Sequence, residues 1–175
     1  KPASEQYSVL ASKKHMPLVD MSTSNAPTIT TGTIEEAVAI SQQIPEFQYA
    51  PLTAEAEIQL YQNRMQNKVH LILIAWVNGQ PAGFKAGYQR YNNRTFYSFM
   101  GAVLPQYRRM GIARALAKEQ EKWAKQNGYT RLVFKTRNRF ANMLLFAIGN
   151  GFKIVKVKPA QTLANYRIHL QKRLR

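Results

Sequence analysis

An apolar run from Phe99 to Leu104 stops at Pro105, and apolar residues return at Ile112, Ala115, Leu116, Trp123 and Ala124, a spacing that lines one side of a helix. The stretch between them, Pro105-Gln106-Tyr107-Arg108-Arg109-Met110-Gly111, must turn a strand tightly into that helix. Gly111 allows a close backbone turn, and with Ala113 it leaves little side chain between the first-turn N–H groups and a ligand. The helix dipole and the neighbouring Arg108, Arg109 and Arg114 favour an anion there, and a phosphate suits the amides. A chain built around such a junction needs a sheet to present it, which points to an α/β arrangement.

The segments before the junction supply that sheet. His70 to Val77 is an almost unbroken apolar run followed by Asn78-Gly79, a strong hairpin signal. Pro81 to Arg90 and Thr95 to Leu104 extend it into a three-stranded antiparallel meander. Thr33 with Glu36 has capping-box spacing and opens a helix that ends before Pro45. Thr53 caps a second helix to about Gln66. Downstream, Tyr129 to Thr136 reads as a strand parallel to the one feeding the junction, Asn138 to Ile148 as a helix, and Phe152 to Lys158 as a strand. Tyr166 to Lys172 alternates, with Tyr166, Ile168 and Leu170 on one face and Arg167, His169 and Gln171 on the other. Residues 1–32, rich in Ser, Thr, Pro and Ala, read as a flexible leader, with residues 33–175 as one domain. His15-Met16 looks like a cloning remnant, with Met16 or Met21 as a native start.

Arg108-x-x-Gly111-x-Ala113, within "AVLPQYRRMGIARAL", resembles the Arg/Gln-x-x-Gly-x-Gly/Ala signature of the GNAT superfamily of acetyl-CoA-dependent N-acetyltransferases. Asn150-Gly151-Phe152, after the amphipathic segment from Asn142 to Ile148, is similar to the family's last helix and its Gly-Phe exit. The resemblance covers roughly residues 33 to 158. It implies a central mixed, mostly antiparallel twisted sheet of about six to seven strands flanked by about four helices. It also implies acetyl-CoA or coenzyme A as cosubstrate, held by Arg108, Arg109, Met110, Gly111, Ile112, Ala113, Arg114 and Asn138. The backbone of Gly101, Ala102 and Val103 would pair with the pantetheine arm, and the N–H near Val103 would be the oxyanion donor.

Two departures from the family stand out. The strand before the cradle carries no carboxylate, and Ala147 occupies the place of a Tyr four residues before the Gly of the Gly-Phe pair. Glu46, in the Pro-bracketed loop that resembles the acceptor-side loop, is the candidate base or amine-binding anion. Tyr97 and Ser98 are the candidates on the cradle strand, Tyr97 as donor to the leaving thiolate. His70 and His169 read as strand-surface residues. Glu121 on the cradle helix is spaced to pair with Lys125. Neither cysteine nor a helical His-Glu pairing is present, so no thiolate nucleophile, disulfide or metal site is expected.

The formal net charge is +16, and it is unevenly distributed. Residues 1–107 hold eight Lys/Arg against seven Asp/Glu; residues 108–175 hold seventeen against Glu119 and Glu121 alone. Such a basic half suits an anionic partner, and nucleic acid is one candidate. Polycationic acceptors are disfavoured. The sequence has no apolar run of membrane-spanning length, so a cytoplasmic enzyme is expected, as monomer or homodimer, acting on an amine-bearing small molecule, peptide or protein. The reading is an N-acetyltransferase working by direct attack in a ternary complex. Its alternatives are a non-catalytic coenzyme A-binding module, motivated by the missing Glu and Tyr, and a nucleic-acid-binding protein.

Overall fold

Thr33 opens the first helix as its spacing requires: the hydroxyl accepts from the Glu36 N–H and the Glu36 carboxylate accepts from the Thr33 N–H. Closing both ends of the box stabilises the helix start by about 1 kcal/mol. In the computed structural model, which describes residues 26–48 and 50–175, this helix is α1 (Ile34–Ser41). A 3-10 turn at Pro45–Phe47 follows, and then α2 (Ala54–Met65), capped by the Thr53 hydroxyl.

One seven-stranded sheet organises the rest. Its strands are β1 (Thr28–Thr31), β2 (His70–Val77), β3 (Gln80–Tyr88), β4 (Thr95–Val103), β5 (Arg131–Arg137), β6 (Lys153–Lys158) and β7 (Arg167–Arg173). They are ordered β1-β2-β3-β4-β5-β7-β6, and β4 with β5 is the parallel pair. The hairpin between β2 and β3 turns through Asn78 and Gly79, both at positive φ. The parallel pair is joined by α3 (Ile112–Gln126), and α4 (Ala141–Gly149) links β5 to β6. The mixed, mostly antiparallel sheet and the four α-helices of the described residues match the expected fold class.

β1 is a correction. The Thr-rich segment Thr28–Thr31 was expected inside the leader, yet it pairs antiparallel with β2 along Leu73 to Trp76. Four residues, exposed over most of their length, carry too weak a pattern to show this locally; the pairing depends on an edge that β2 provides. Residues 1–25, including His15-Met16 and Met21, lie outside the described residues.

The two sheet faces are covered differently. α1 and α2 pack on one face over β2, β3 and β4, where Tyr61, Phe84, Tyr88 and Tyr97 are buried with Ile40, Ile44 and Ile74. α3 covers the other face, bringing Ile112, Leu116 and Ala124 against Leu71, Leu73, Phe96 and Leu132. α4 continues that second layer through Ala147 on Ile168 and Leu170. Each fully buried large side chain contributes on the order of 1.5–3 kcal/mol. Among the described residues, no helix lies over the first face of β5, β7 and β6.

Candidate active site

The junction is built from two left-handed residues. Arg109 has φ of 67° and Gly111, the N-cap of α3, has φ of 78°. A Cβ on Gly111 would meet nothing within 4 Å, so conformation rather than space demands glycine there. Among the described residues no side chain caps the helix start, and the first intrahelical bond runs from the Ala115 N–H to the Gly111 carbonyl. The N–H groups of Ile112, Ala113 and Arg114 are thus the orphan donors of an α-helix, and Gly111, Ala113 and Arg114 are exposed. Successive left-handed and helical residues turn amides toward one point, as anion nests do.

Arg108 is engaged within the chain. Its Nε donates to the Val103 carbonyl at 3.1 Å, and its two terminal nitrogens donate to the two Glu46 carboxylate oxygens at 2.8 Å each. Its backbone N–H goes to the Pro105 carbonyl. Arg108 therefore ties the end of β4 to the Pro45–Phe47 turn. Glu46 is correspondingly committed. The Arg108 hydrogen bonds hold its carboxyl below the ordinary carboxylate range, against a smaller opposing effect of burial. An ion-paired, acidified carboxylate is a poor proton acceptor, and Glu46 is engaged here as the partner of Arg108.

The second element is where β4 and β5 part. They pair at Thr95–Arg131, Phe96–Leu132 and Tyr97–Val133 and not beyond. Just past the last pair, Phe99 is bulged against β3: Ala86 faces Met100 and Gly87 faces Ser98, with nothing opposite Phe99. A bulge bends its strand and increases its twist, which separates β4 from β5. The Leu104 N–H donates to Ala82 on β3, so alternation sends the N–H groups of Gly101 and Val103 to the opposite side, toward the gap. Gly101, half-buried, stands opposite Lys85, and a Cβ there would lie 3.2 Å from the Phe84 carbonyl oxygen. An edge with free backbone groups beside an uncapped helix start can pair with an extended polar chain that ends in a phosphate.

Tyr97 and Ser98 sit at the point of parting, both buried. Tyr97 lies under Arg90, whose guanidinium is 5.0 Å from the ring centroid, and edge-on to Tyr88. Burial raises its hydroxyl pKa, and Arg90 opposes this. Its ring borders a depression of about 180 Å³ on the uncovered face, shared with Thr95, Val133, Lys135 and His169. Ser98 points with Phe96 toward α3. A larger cavity, about 690 Å³, lies by α2 and the start of β2, at the sheet end remote from α3's first turn. Asn138 closes β5: its N–H donates to the Tyr166 carbonyl and its side chain to the Leu163 carbonyl.

The sequence reading gave Glu121 another partner and passed over Lys85 and Gln120. Glu121 pairs with Lys172 on β7 rather than with Lys125. Lys85, on the same face of the sheet, is driven by desolvation down to about 8, with Glu121 pulling it back up. Gln120 is 0 % exposed, and neither its side-chain oxygen nor its nitrogen has a partner among the described residues. The signal for Gln120 was legible: it holds the i+4 place between Leu116 and Ala124 on the apolar stripe of α3.

The profile of the acetyltransferase (GNAT) family matches residues 36–151. The chain belongs to the GNAT acetyltransferase family. A thialysine Nε-acetyltransferase from Caenorhabditis elegans is 26 % identical over 113 residues, 60 % of this chain and 68 % of that one. In structure, this GNAT chain is similar to the Escherichia coli ribosomal-protein-S18-alanine N-acetyltransferase, with a TM-score of 0.68, 18 % identity, and coverage of 85 % of this chain and 94 % of that one. It is also similar to the PaiA N-acetyltransferase from Thermoplasma acidophilum in complex with coenzyme A, with a TM-score of 0.66, 16 % identity, and coverage of 85 % and 99 %. GNAT acetyltransferases use acetyl-CoA. The uncapped α3 amides and the free edge of β4 fit the two polar stretches of that molecule, its pyrophosphate and its pantetheine amides. No described helix is long and apolar enough to cross a membrane.

Proposed function

We propose that this GNAT acetyltransferase moves an acetyl group from acetyl-CoA to a primary amine by direct attack, with both substrates bound together. The observation that carries the proposal is the uncapped first turn of α3 lying at the end of a β4 edge that has left β5. The amides of Ile112, Ala113 and Arg114, with Arg109, would hold the pyrophosphate, and Gly101 and Val103 would pair with the pantetheine arm. Bound acetyl-CoA supplies the carbonyl carbon: the C–N bond forms there, the C–S bond breaks, and thiolate leaves.

The chain's own groups then have three tasks. One N–H of that same free β4 edge, near Val103 and not one that the pantetheine arm takes, would face the carbonyl oxygen and stabilise its growing charge. Tyr97, kept protonated by burial at working pH, is the proton donor for the thiolate. The amine's proton leaves to solvent, since Glu46 is engaged by Arg108 and β4 carries no carboxylate. The Caenorhabditis elegans relative's name gives an Nε amine as acceptor, which supports an amine here.

The test is thiol release from acetyl-CoA with a panel of amines. Turnover is expected to rise tenfold per pH unit up to the acceptor's own amine pKa, because the neutral amine is the reactant. Tyr97→Phe should lower kcat by about 10²-fold. If neither acetyl-CoA nor coenzyme A shifts the melting temperature, the proposal fails at its first step.

A further inference from the structure

Resting on that reading, we infer that the uncovered face of β5, β7 and β6 seats an acidic polypeptide segment of the acceptor, leading its amine to the cleft. The geometry is a ladder of cations. Residues paired across an antiparallel sheet share a face, and on this one Lys135, His169 and Lys156 form one row and Arg137, Arg167 and Lys158 the next. Lys135 lies two residues beyond Val133, the last β5 residue paired with β4, so the first row begins at the mouth of the gap. The depression beside Tyr97 continues onto Lys135 and His169.

This arrangement costs stability. Like charges set directly across a sheet repel, and no carboxylate occurs in β5, β6 or β7 to relieve them. Among the described residues none of the five cations in these rows is in a salt bridge. Both central groups register the strain. Burial and then the surrounding cations hold Lys135 and His169 below their usual pKa values. A surface meant only for solubility would place its charges apart or pair them with acids. An anionic ligand lying along both rows removes the repulsion.

The chemistry of the partner follows from three further observations. A second copy of this chain would bring the same positive face and be repelled. Single-stranded nucleic acid is gripped by aromatic platforms, and these two rows contain none; its base amines, attached to electron-poor rings, are also weak nucleophiles. A polypeptide offers a nucleophilic amine. The outer strand β6 is exposed along its whole length and adds a row of free backbone groups to which an extended segment can pair. One carboxylate would not need five cations, so an acidic run fits better than a free amino acid.

The experiment compares synthetic peptides of one length, with a free amino terminus followed by four glutamates or by four serines, using the full chain. The acidic peptide should be acetylated with kcat/KM at least about tenfold higher, and the preference should collapse between 50 and 300 mM salt, on the order of the Debye length change. Lys135→Glu with Arg167→Glu should abolish the preference while leaving the coenzyme A melting shift intact, which separates lost recognition from lost folding. Equal use of the two peptides, or tighter binding of an RNA dodecamer than of the acidic peptide, overturns the inference. Absence of any coenzyme A shift in the wild type overturns instead the acetyltransferase reading beneath it.

Discussion

Arg108 and Glu46, 62 residues apart in the chain, are joined by two parallel hydrogen bonds of 2.8 Å. This fork fastens the loop between β4 and α3 to the turn between α1 and α2. The two side chains remain 39 % and 46 % exposed, which limits the pair to at most about 1 kcal/mol. Glu46→Gln is therefore expected to destabilise by no more than that at pH 7. Because Arg108 lowers the Glu46 pKa, its contribution is present above the unfolded carboxylate value and vanishes as pH falls through the folded one. Wild type and variant should then have equal melting temperatures in acid. Turnover is expected to change by only a few-fold; a loss of about 10²-fold would restore Glu46 as the base.

Gly111 sets the direction of the first α3 amides. Alanine would fit the space but must adopt φ near 78°, at a cost of about 1–2 kcal/mol. If the strain is relieved by turning the peptide, the nest opens as well. Gly111→Ala is expected to lower the melting temperature modestly and to weaken coenzyme A binding more than tenfold, measured by calorimetry. A variant that binds coenzyme A normally would place the pyrophosphate elsewhere.

What the residues disclosed locally and what they could not is clear from particular cases. The Thr33–Glu36 box, the Asn78-Gly79 turn, the His70–Val77 strand and the faces of Tyr166 to Lys172 are short-range patterns, and each appears where spacing placed it. The cradle was legible because its glycine, its orphan amides and its strand are consecutive. Glu46–Arg108 and Glu121–Lys172 were not, since their partners lie 62 and 51 residues away and side-chain reach across a fold has no periodicity. β1 was missed for the same reason: Thr28–Thr31 is a strand only because β2 offers it an edge. The cation ladder needed the register of β5, β7 and β6 before charges scattered in the sequence became rows.

Lys85 gives stability a pH dependence of the same sign as that of Glu46, in a higher pH window. Its folded pKa of about 8 lies below the ordinary lysine value of 10.5, with desolvation as the main cause. Between those values the unfolded chain binds a proton that the folded chain does not, so stability rises with pH through that window. Lys85→Met removes this contribution and replaces a desolvated ammonium by a side chain of similar length. It is expected to gain about 1 kcal/mol at pH 7, with the advantage over wild type shrinking toward pH 10.5. Urea denaturation at pH 7 and pH 10 measures both; an advantage that grows with pH would contradict the assigned protonation.

Gln120 occupies a core position with the wrong chemistry. It lies fully buried under α3 with both amide atoms unpaired among the described residues, and a buried polar group left without partners costs about 1–3 kcal/mol. Met has nearly the same length and volume, so it fills the site without opening a cavity. Gln120→Met is accordingly expected to raise the melting temperature by roughly 2–6 °C for a chain of this size. Gln120→Ala tests the packing half of the argument: it removes the same polar cost but leaves a void, and should gain less or lose stability. A methionine variant that melts below the alanine variant would mean that the Gln120 amide is satisfied in solution, and that the stripe of α3 is polar at this point by requirement.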